Sequence, residues 1–167
     1  MIRVERLSED QWGVLRDVRL RALWQSPHTF GSSLARDQRF KEPHWRMRLR
    51  GSPWFVARVD GVEEPLGLVS MLTEPGSPID DRHVVSLWVD PEHRRRRVAS
   101  ALVGTVIAEA RAAGATTVSL WAAEDNVPAL GVCEALGFVA TGARQTLPRD
   151  PSRAELRFEL DISAPES

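Results

Sequence analysis

The chain has 167 residues, enough for one domain with a full-sized core. Its net charge of −1 sets it apart from proteins that coat nucleic acid, which are basic overall, and no stretch is long and apolar enough to span a membrane. Cys133 is the single cysteine, which excludes an intrachain disulfide and a cysteine-based metal site and points to a reducing, cytoplasmic setting.

In chain order, "IRVERL" alternates as a short strand. Ser8 with Gln11 has the spacing of a capping box, in which side chains satisfy the free amides of a helix start. Trp12, Leu15, Val18 and Ala22 then recur every three or four residues and predict an amphipathic helix over residues 9–24. "QSPHTFG" breaks it. A second helical region runs from Ser33 to Leu49, interrupted near Pro43. "WFVARV" and "LGLVSML" are strands flanking the hairpin connection "DGVEEP". "SPIDD" is a loop, and "HVVSLWV", His83 to Val89, is an apolar strand of the kind buried on both faces.

Arg94, Arg95, Arg96 and Arg97 follow that strand directly. The helix after them carries Val98, Leu102, Val106 and Ile107 and stops at Gly114. "TVSLWA" is a further buried strand. "NVPALGVCEALG", Asn126 to Gly137, is a short helix with Pro128 in its first turn and Gly137 past its end. "FVATGA" and "AELRFELDI" close the chain as strands joined by a Pro-rich loop, "TLPRDPS". This order predicts a mixed α/β sheet covered by helices in a single domain, 1–162, with a flexible tail at 163–167.

The arginine junction has a physical reading of its own. A helix start leaves backbone N–H groups without partners and carries partial positive charge, so an anion, above all a phosphate, fits there. Successive amides in such a turn can wrap a pyrophosphate, and guanidinium groups add charge-assisted hydrogen bonds. A solvated charged helix start and a nucleic-acid patch are the competing readings of an arginine run taken alone.

At these residues the sequence resembles the GNAT superfamily of N-acetyltransferases. The stretch Arg94 to Ala99 falls on the family's acetyl-CoA signature, R/Q-x-x-G-x-G/A. Asn126, Ala129, Glu134, Leu136, Gly137 and Phe138 fall on its later helix, which usually reads N-x-x-A-x-x-L-Y-E-K-L-G-F. The opening "RLRALWQSPHTFGSS" is also similar to many bacterial members, so the resemblance covers almost the whole chain. It implies a mixed, mostly antiparallel central sheet, splayed between two parallel strands, with helices on both faces. It implies acetyl-CoA as co-substrate in that gap, with no metal. The backbone of Leu87, Trp88 and Val89 would pair with the pantetheine arm and orient the acetyl carbonyl. The amides from Arg94 through Arg97 and Val98, Ala99 and Ser100 would hold the pyrophosphate, and Asn126 and Ala129 would meet the pantetheine. Transfer to a primary amine of a small molecule or peptide by direct attack is the family's usual route, and homodimers are common.

Two positions depart from the pattern. Arg97 stands where the signature has its first glycine, which lets a phosphate approach the backbone. An arginine in helical conformation keeps the fold there, and its side chain either crowds the pyrophosphate or adds charge to it. Cys133 stands where the family usually has a tyrosine that protonates the departing thiolate, and the chain has no tyrosine. A thiol is an alternative proton donor and equally a small core residue. These departures motivate a second reading, a catalytically impaired GNAT-fold module that binds or senses acyl-CoA.

For the base, His83 occupies about the place where some members carry a glutamate, and its reference pKa suits neutral pH. A strand-end histidine facing solvent is the alternative. Glu124, just past the next strand, is a second candidate, while Asp80 and Asp81 read as a solvated pair that attracts a cationic amine. The acceptor site is expected from the first two helices and the loops at Glu63–Glu64 and Ser77–Arg82, with Trp24, Phe30, Phe40, Trp45 and Trp54 available as walls, most of them core.

Overall fold

The computed structural model describes residues 1–25, 34–148 and 150–163, without the side chains of 94–96. Phe30 and the tail beyond Ser163 therefore lie outside the described residues. In chain order the elements are β1 (Ile2–Arg6), α1 (Trp12–Gln25), α2 (Leu34–Gln38), α3 (Glu42–Gly51), β2 (Trp54–Val59), β3 (Gly67–Leu72), β4 (Asp81–Val89), α4 (Val98–Ala112), β5 (Thr117–Ala123), α5 (Val127–Leu136), β6 (Val139–Leu147) and β7 (Asp150–Asp161). Short 3-10 turns at Glu9–Gln11 and Pro91–Arg96 lead into α1 and α4. The seven strands form one mixed, mostly antiparallel sheet in the order β1-β2-β3-β4-β5-β7-β6, with β4 and β5 its parallel pair. Among the described residues no helix is long and apolar enough to cross a membrane.

The chain folds as two compact units. The first comprises Met1–Met71 and Ser86–Leu102. In it β1 pairs antiparallel with β2 and β2 with β3, the latter from Trp54 opposite Ser70 to Ala57 opposite Gly67. The Ser8 N–H donates to Gln11 Oε1 at 2.8 Å, so the capping box forms as its spacing predicts. Leu15, Val18 and Ala22 share the buried stripe of α1 and pack with Leu7, Trp45, Trp54, Val56, Leu68 and Trp88. The expected break near Pro43 falls three residues earlier. Arg39 to Lys41 separate α2 from α3, and Pro43 sits in the first turn of α3, where its missing N–H costs nothing.

Gly67 occupies a crowded place, where a side chain would have to displace its neighbours. A Cβ there would lie 2.7 Å from Leu102 Cδ1, 3.0 Å from Val98 Cγ1 and 3.2 Å from the Trp88 carbonyl oxygen. The first turn of α4 and the backbone of β4 both rest on that bare stretch of β3.

The second unit comprises Leu72–Val85 and the chain from Val103. Its sheet runs β4-β5-β7-β6, with Asp81, Arg82 and His83 in parallel register with Thr117, Val118 and Ser119. The expected Pro-rich loop is instead mostly strand: β6 continues to Leu147 and β7 starts at Asp150. Pro151 is accommodated because it lies at the strand's beginning, beside a register shift between Thr146 and Leu147. The α5 helix is closed at both ends. Asn126 Oδ1 accepts the Ala129 N–H at 3.2 Å, and Gly137 takes φ 88°, letting the Phe138 N–H reach the Cys133 carbonyl at 2.9 Å.

Candidate active site

The first unit carries the strand-to-helix junction. Ser86, in the middle of β4, has φ 59°, a conformation rare for a residue with a side chain. Arg19 Nη1 donates to its Oγ at 3.1 Å, and Arg19 is itself buried, with its Nε 3.3 Å from Asp37 Oδ2. Leu87 is half-buried, and Trp88 and Val89 are buried. The end of the strand is pinned twice. The Asp90 N–H donates to the Leu66 carbonyl at 2.8 Å, and Arg21 Nη2 lies 3.3 Å from Asp90 Oδ2 and 2.6 Å from the Pro65 carbonyl.

Beyond Asp90, the backbone of Arg94, Arg95 and Arg96 belongs to a 3-10 turn. Arg97 is not helical: it stands at φ 59°, ψ 26°, in the left-handed region. The glycine of the signature thus has a conformational reason as well as a steric one, since only glycine adopts that region without penalty. The Ala101 N–H donates to the Arg97 carbonyl at 3.1 Å. Val98, Ala99 and Ser100 open α4, the positions whose amides a helix's own residues do not serve. Replacing the exposed Arg97 by glycine is expected to stabilise the fold by about 1 kcal/mol, read as a higher urea midpoint at unchanged slope.

The second unit gathers a buried polar cluster. His83 is 5% exposed, not solvent-facing, and its Nδ1 is 2.8 Å from Ser119 Oγ and 3.5 Å from Glu74 Oε1. Ser119 Oγ donates to Asp81 Oδ2 at 2.7 Å, and Thr117 Oγ1 donates to Asp81 Oδ1 at 2.6 Å. Asp81 is 3% exposed, which corrects its reading as a solvated loop carboxylate; it is the first residue of β4. Asp80 is exposed and accepts from Thr116 Oγ1. Arg157 Nη2 completes the cluster, 2.9 Å from Glu74 Oε1, 3.1 Å from Ser119 Oγ and 3.8 Å from Asp81 Oδ2. Glu74, Asp81 and His83 place their ligand atoms within 4.8 Å of one another, but the Arg157 guanidinium already supplies the positive charge there.

Burial is the largest influence on His83 and pushes its pKa below the ordinary histidine value; Glu74 and Asp81 pull it up and Arg157 pushes it down. The imidazole is therefore neutral at pH 7. Glu74 is held below the usual carboxylate range by its hydrogen bond from Arg157, with His83 and Ser77 adding to the effect against the cost of burial.

The other candidates lie elsewhere. Glu124 is exposed and paired with Arg144 at 2.6 Å. Cys133 is 2% exposed, and burial pushes its thiol up to about 11. Asn126 and Ala129 are half-buried at the start of α5. Of the proposed walls, Trp45 and Trp54 are core and Phe40 is half-buried, stacked on His44 with ring centroids 3.5 Å apart, whereas Trp24 is 70% exposed. Glu63 and Glu64 are exposed, and Ser77 donates to Glu74. Glu74, Ser119 and Arg157 were not singled out by sequence reasoning. The usable signal was alternation: positions 81 and 83 share a face of one strand, 117 and 119 a face of its parallel neighbour.

The chain is similar to known proteins in sequence and in fold. A sequence profile described as the acetyltransferase (GNAT) family matches residues 18–138. An uncharacterized N-acetyltransferase of Methanocaldococcus jannaschii is 32% identical over 97 residues, covering 56% of this chain and 42% of that protein. Human N-acetyltransferase 8 is 35% identical over 100 residues, covering 56% of this chain and 41% of that protein. The chain thus spans about two fifths of the length of these curated relatives. The structure of yncA from Salmonella typhimurium, solved with its cofactor acetyl-CoA, superposes with a TM-score of 0.75 at 15% identity, covering 100% of this chain and 97% of that one.

Proposed function

We propose, from the premise that this chain belongs to the acetyltransferase (GNAT) family, that it transfers acetyl from acetyl-CoA to a primary amine by direct attack. The observation that carries this reading is the junction at the end of β4, where a left-handed Arg97 stands directly before the first turn of α4. Such a turn suits a pyrophosphate. In this reading the amides from Arg94 to Ser100 receive the pyrophosphate and the backbone of Leu87, Trp88 and Val89 takes the pantetheine. Asn126 spends its Oδ1 on the helix cap, so its amide donors are the part that meets the pantetheine, beside Ala129.

His83 is the base. It is neutral, as a base must be, and the glutamate expected at its place in other members is matched here by an imidazole within a carboxylate-rich cluster. The amine nitrogen attacks the thioester carbon and an N–H proton passes to His83. The new C–N bond forms as the C–S bond breaks, and the electron pair leaves on the CoA sulfur. A strand amide at Trp88 or Val89 polarises the carbonyl, and fixed approach of the two reactants supplies much of the rate. The raised thiol of Cys133 is too weak an acid to assist the leaving sulfur, which takes its proton from water. Glu124, neutralised by Arg144, serves structure. The setting is cytoplasmic, in keeping with a free cysteine held in the core.

Two measurements test the reading. Acetyl-CoA is expected to raise the unfolding temperature, as any ligand selective for the native state does, and thiol release with a panel of small-molecule and peptide amines is expected to identify the acceptor. A protein indifferent to acetyl-CoA overturns the assignment. One stabilised by acetyl-CoA but silent with every amine is the impaired acyl-CoA-binding module. In the same assay Arg97→Gly is expected to bind acetyl-CoA more weakly despite its greater stability, since the guanidinium adds charge to the pyrophosphate site; tighter binding removes that role.

A further inference from the structure

The hydrogen bonds around His83 determine which ring nitrogen carries its proton. Asp81 Oδ2 lies 2.7 Å from Ser119 Oγ, and an ionised carboxylate only accepts, so the single hydroxyl proton of Ser119 points at Asp81. Arg157 Nη2, which only donates, takes one lone pair of Ser119 Oγ at 3.1 Å. The other lone pair faces His83 Nδ1 at 2.8 Å, and that contact is a hydrogen bond only if Nδ1 carries the proton. A second neighbour favours the same. Glu74 Oε1, another acceptor, lies 3.5 Å from Nδ1.

We infer that Asp81, acting through Ser119, locks the His83 ring as its Nδ1–H tautomer and so makes Nε2 the basic nitrogen. Asp81 and Ser119 are positioning residues, and the inference deepens the reading of His83 as the base on which it rests. The chain Asp81–Ser119–His83 lies on one face of the parallel pair β4–β5, two residues apart on each strand, so backbone register sets its geometry. It also prepares the ring for the proton it receives. The imidazolium formed by uptake at Nε2 keeps its Nδ1–H between Ser119 Oγ and Glu74. The charged groups facing it are Glu74, Asp81 and Arg157, a net charge of −1 that the new cation balances.

Asp81→Asn tests this with almost no change of volume. The asparagine Oδ1 keeps the Thr117 bond, and its NH2 donates to Ser119 Oγ where the carboxylate accepted. The Ser119 proton then turns to Nδ1, and the ring becomes the Nε2–H tautomer. Nitrogen-15 NMR of histidine-labelled protein at neutral pH is expected to show a protonated Nδ1 and a bare Nε2 for His83 in the wild type, and the reverse in Asp81→Asn. The rate of thiol release falls at least 100-fold, with KM for acetyl-CoA within about twofold of wild type. If Asp81→Asn does not fold, Ser119→Ala and Ser119→Thr give the same readout, the alanine mixing the tautomers and the threonine restoring Nδ1–H. A wild-type ring protonated at Nε2, or tautomers indifferent to these variants, overturns the inference. The spectrum decides it whether or not His83 proves to be the base. Loss of the rate in His83→Ala tests that reading separately.

Discussion

Replacing His83 by alanine is expected to lower the rate of acetyl transfer about 100-fold and to remove the acid limb of its pH profile. The limb arises because burial holds the imidazole below its ordinary pKa, so activity is sustained through neutral pH and falls only where the ring finally takes a proton. In the alanine variant the profile follows the acceptor amine alone. The same burial links folding to pH. The unfolded chain takes up a proton on His83 near its ordinary pKa of about 6.5, while the folded chain resists until lower pH. The contribution of the neutral ring to stability is thus complete above that range and declines as the pH falls toward the folded value. A pH–rate profile unchanged in His83→Ala would remove His83 from the mechanism.

Asp37→Ala is expected to cost about 3 to 5 kcal/mol of stability, the range for stripping one partner from a buried ion pair. Asp37 is 0% exposed and its Oδ2 receives both Arg19 Nε and Arg48 Nη1, each at 3.3 Å. Burial already pushes the Arg19 pKa down, and Asp37 is what opposes that shift. Without the carboxylate, two guanidinium groups repel each other inside the first unit. The loss reaches the site, because Arg19 also holds Ser86 at its left-handed conformation. Urea unfolding measures it, and Asp37→Asn, which keeps an acceptor oxygen, should fall between the wild type and the alanine variant. A loss below about 1 kcal/mol would show that the site relaxes enough to rehydrate both arginines.

The elements of this chain were legible because their periods are clean. The α1 stripe of Leu15, Val18 and Ala22 and the Asn126–Pro128–Gly137 punctuation of α5 are local signals, and the structure follows them. Pro151 misled because it stands at the start of a strand, where the lost N–H is tolerated, and sequence alone does not separate that from a loop. The arginine run was legible as a place but not as a conformation: its helix start is visible in the pattern, but the left-handed turn at Arg97 depends on how a 3-10 segment meets α4. Asp81 was misread for another reason. Its partners Thr117 and Ser119 are 36 and 38 residues away, and only the parallel register of β4 with β5 brings them to it.

The bare surface of Gly67 carries a different kind of constraint. It is steric: what matters at this position is the absence of a Cβ against Leu102, Val98 and the Trp88 carbonyl. Every other residue brings that carbon. A lineage carrying this fold therefore takes a step at this position only if Leu102 turns its Cδ1 away and Val98 and the Trp88 backbone give by a few tenths of an ångström. Variation at Gly67 is thus tied to the side chains of α4, and substitutions there are expected to be accompanied by changes at Leu102 or Val98 more often than at positions where a Cβ meets nothing.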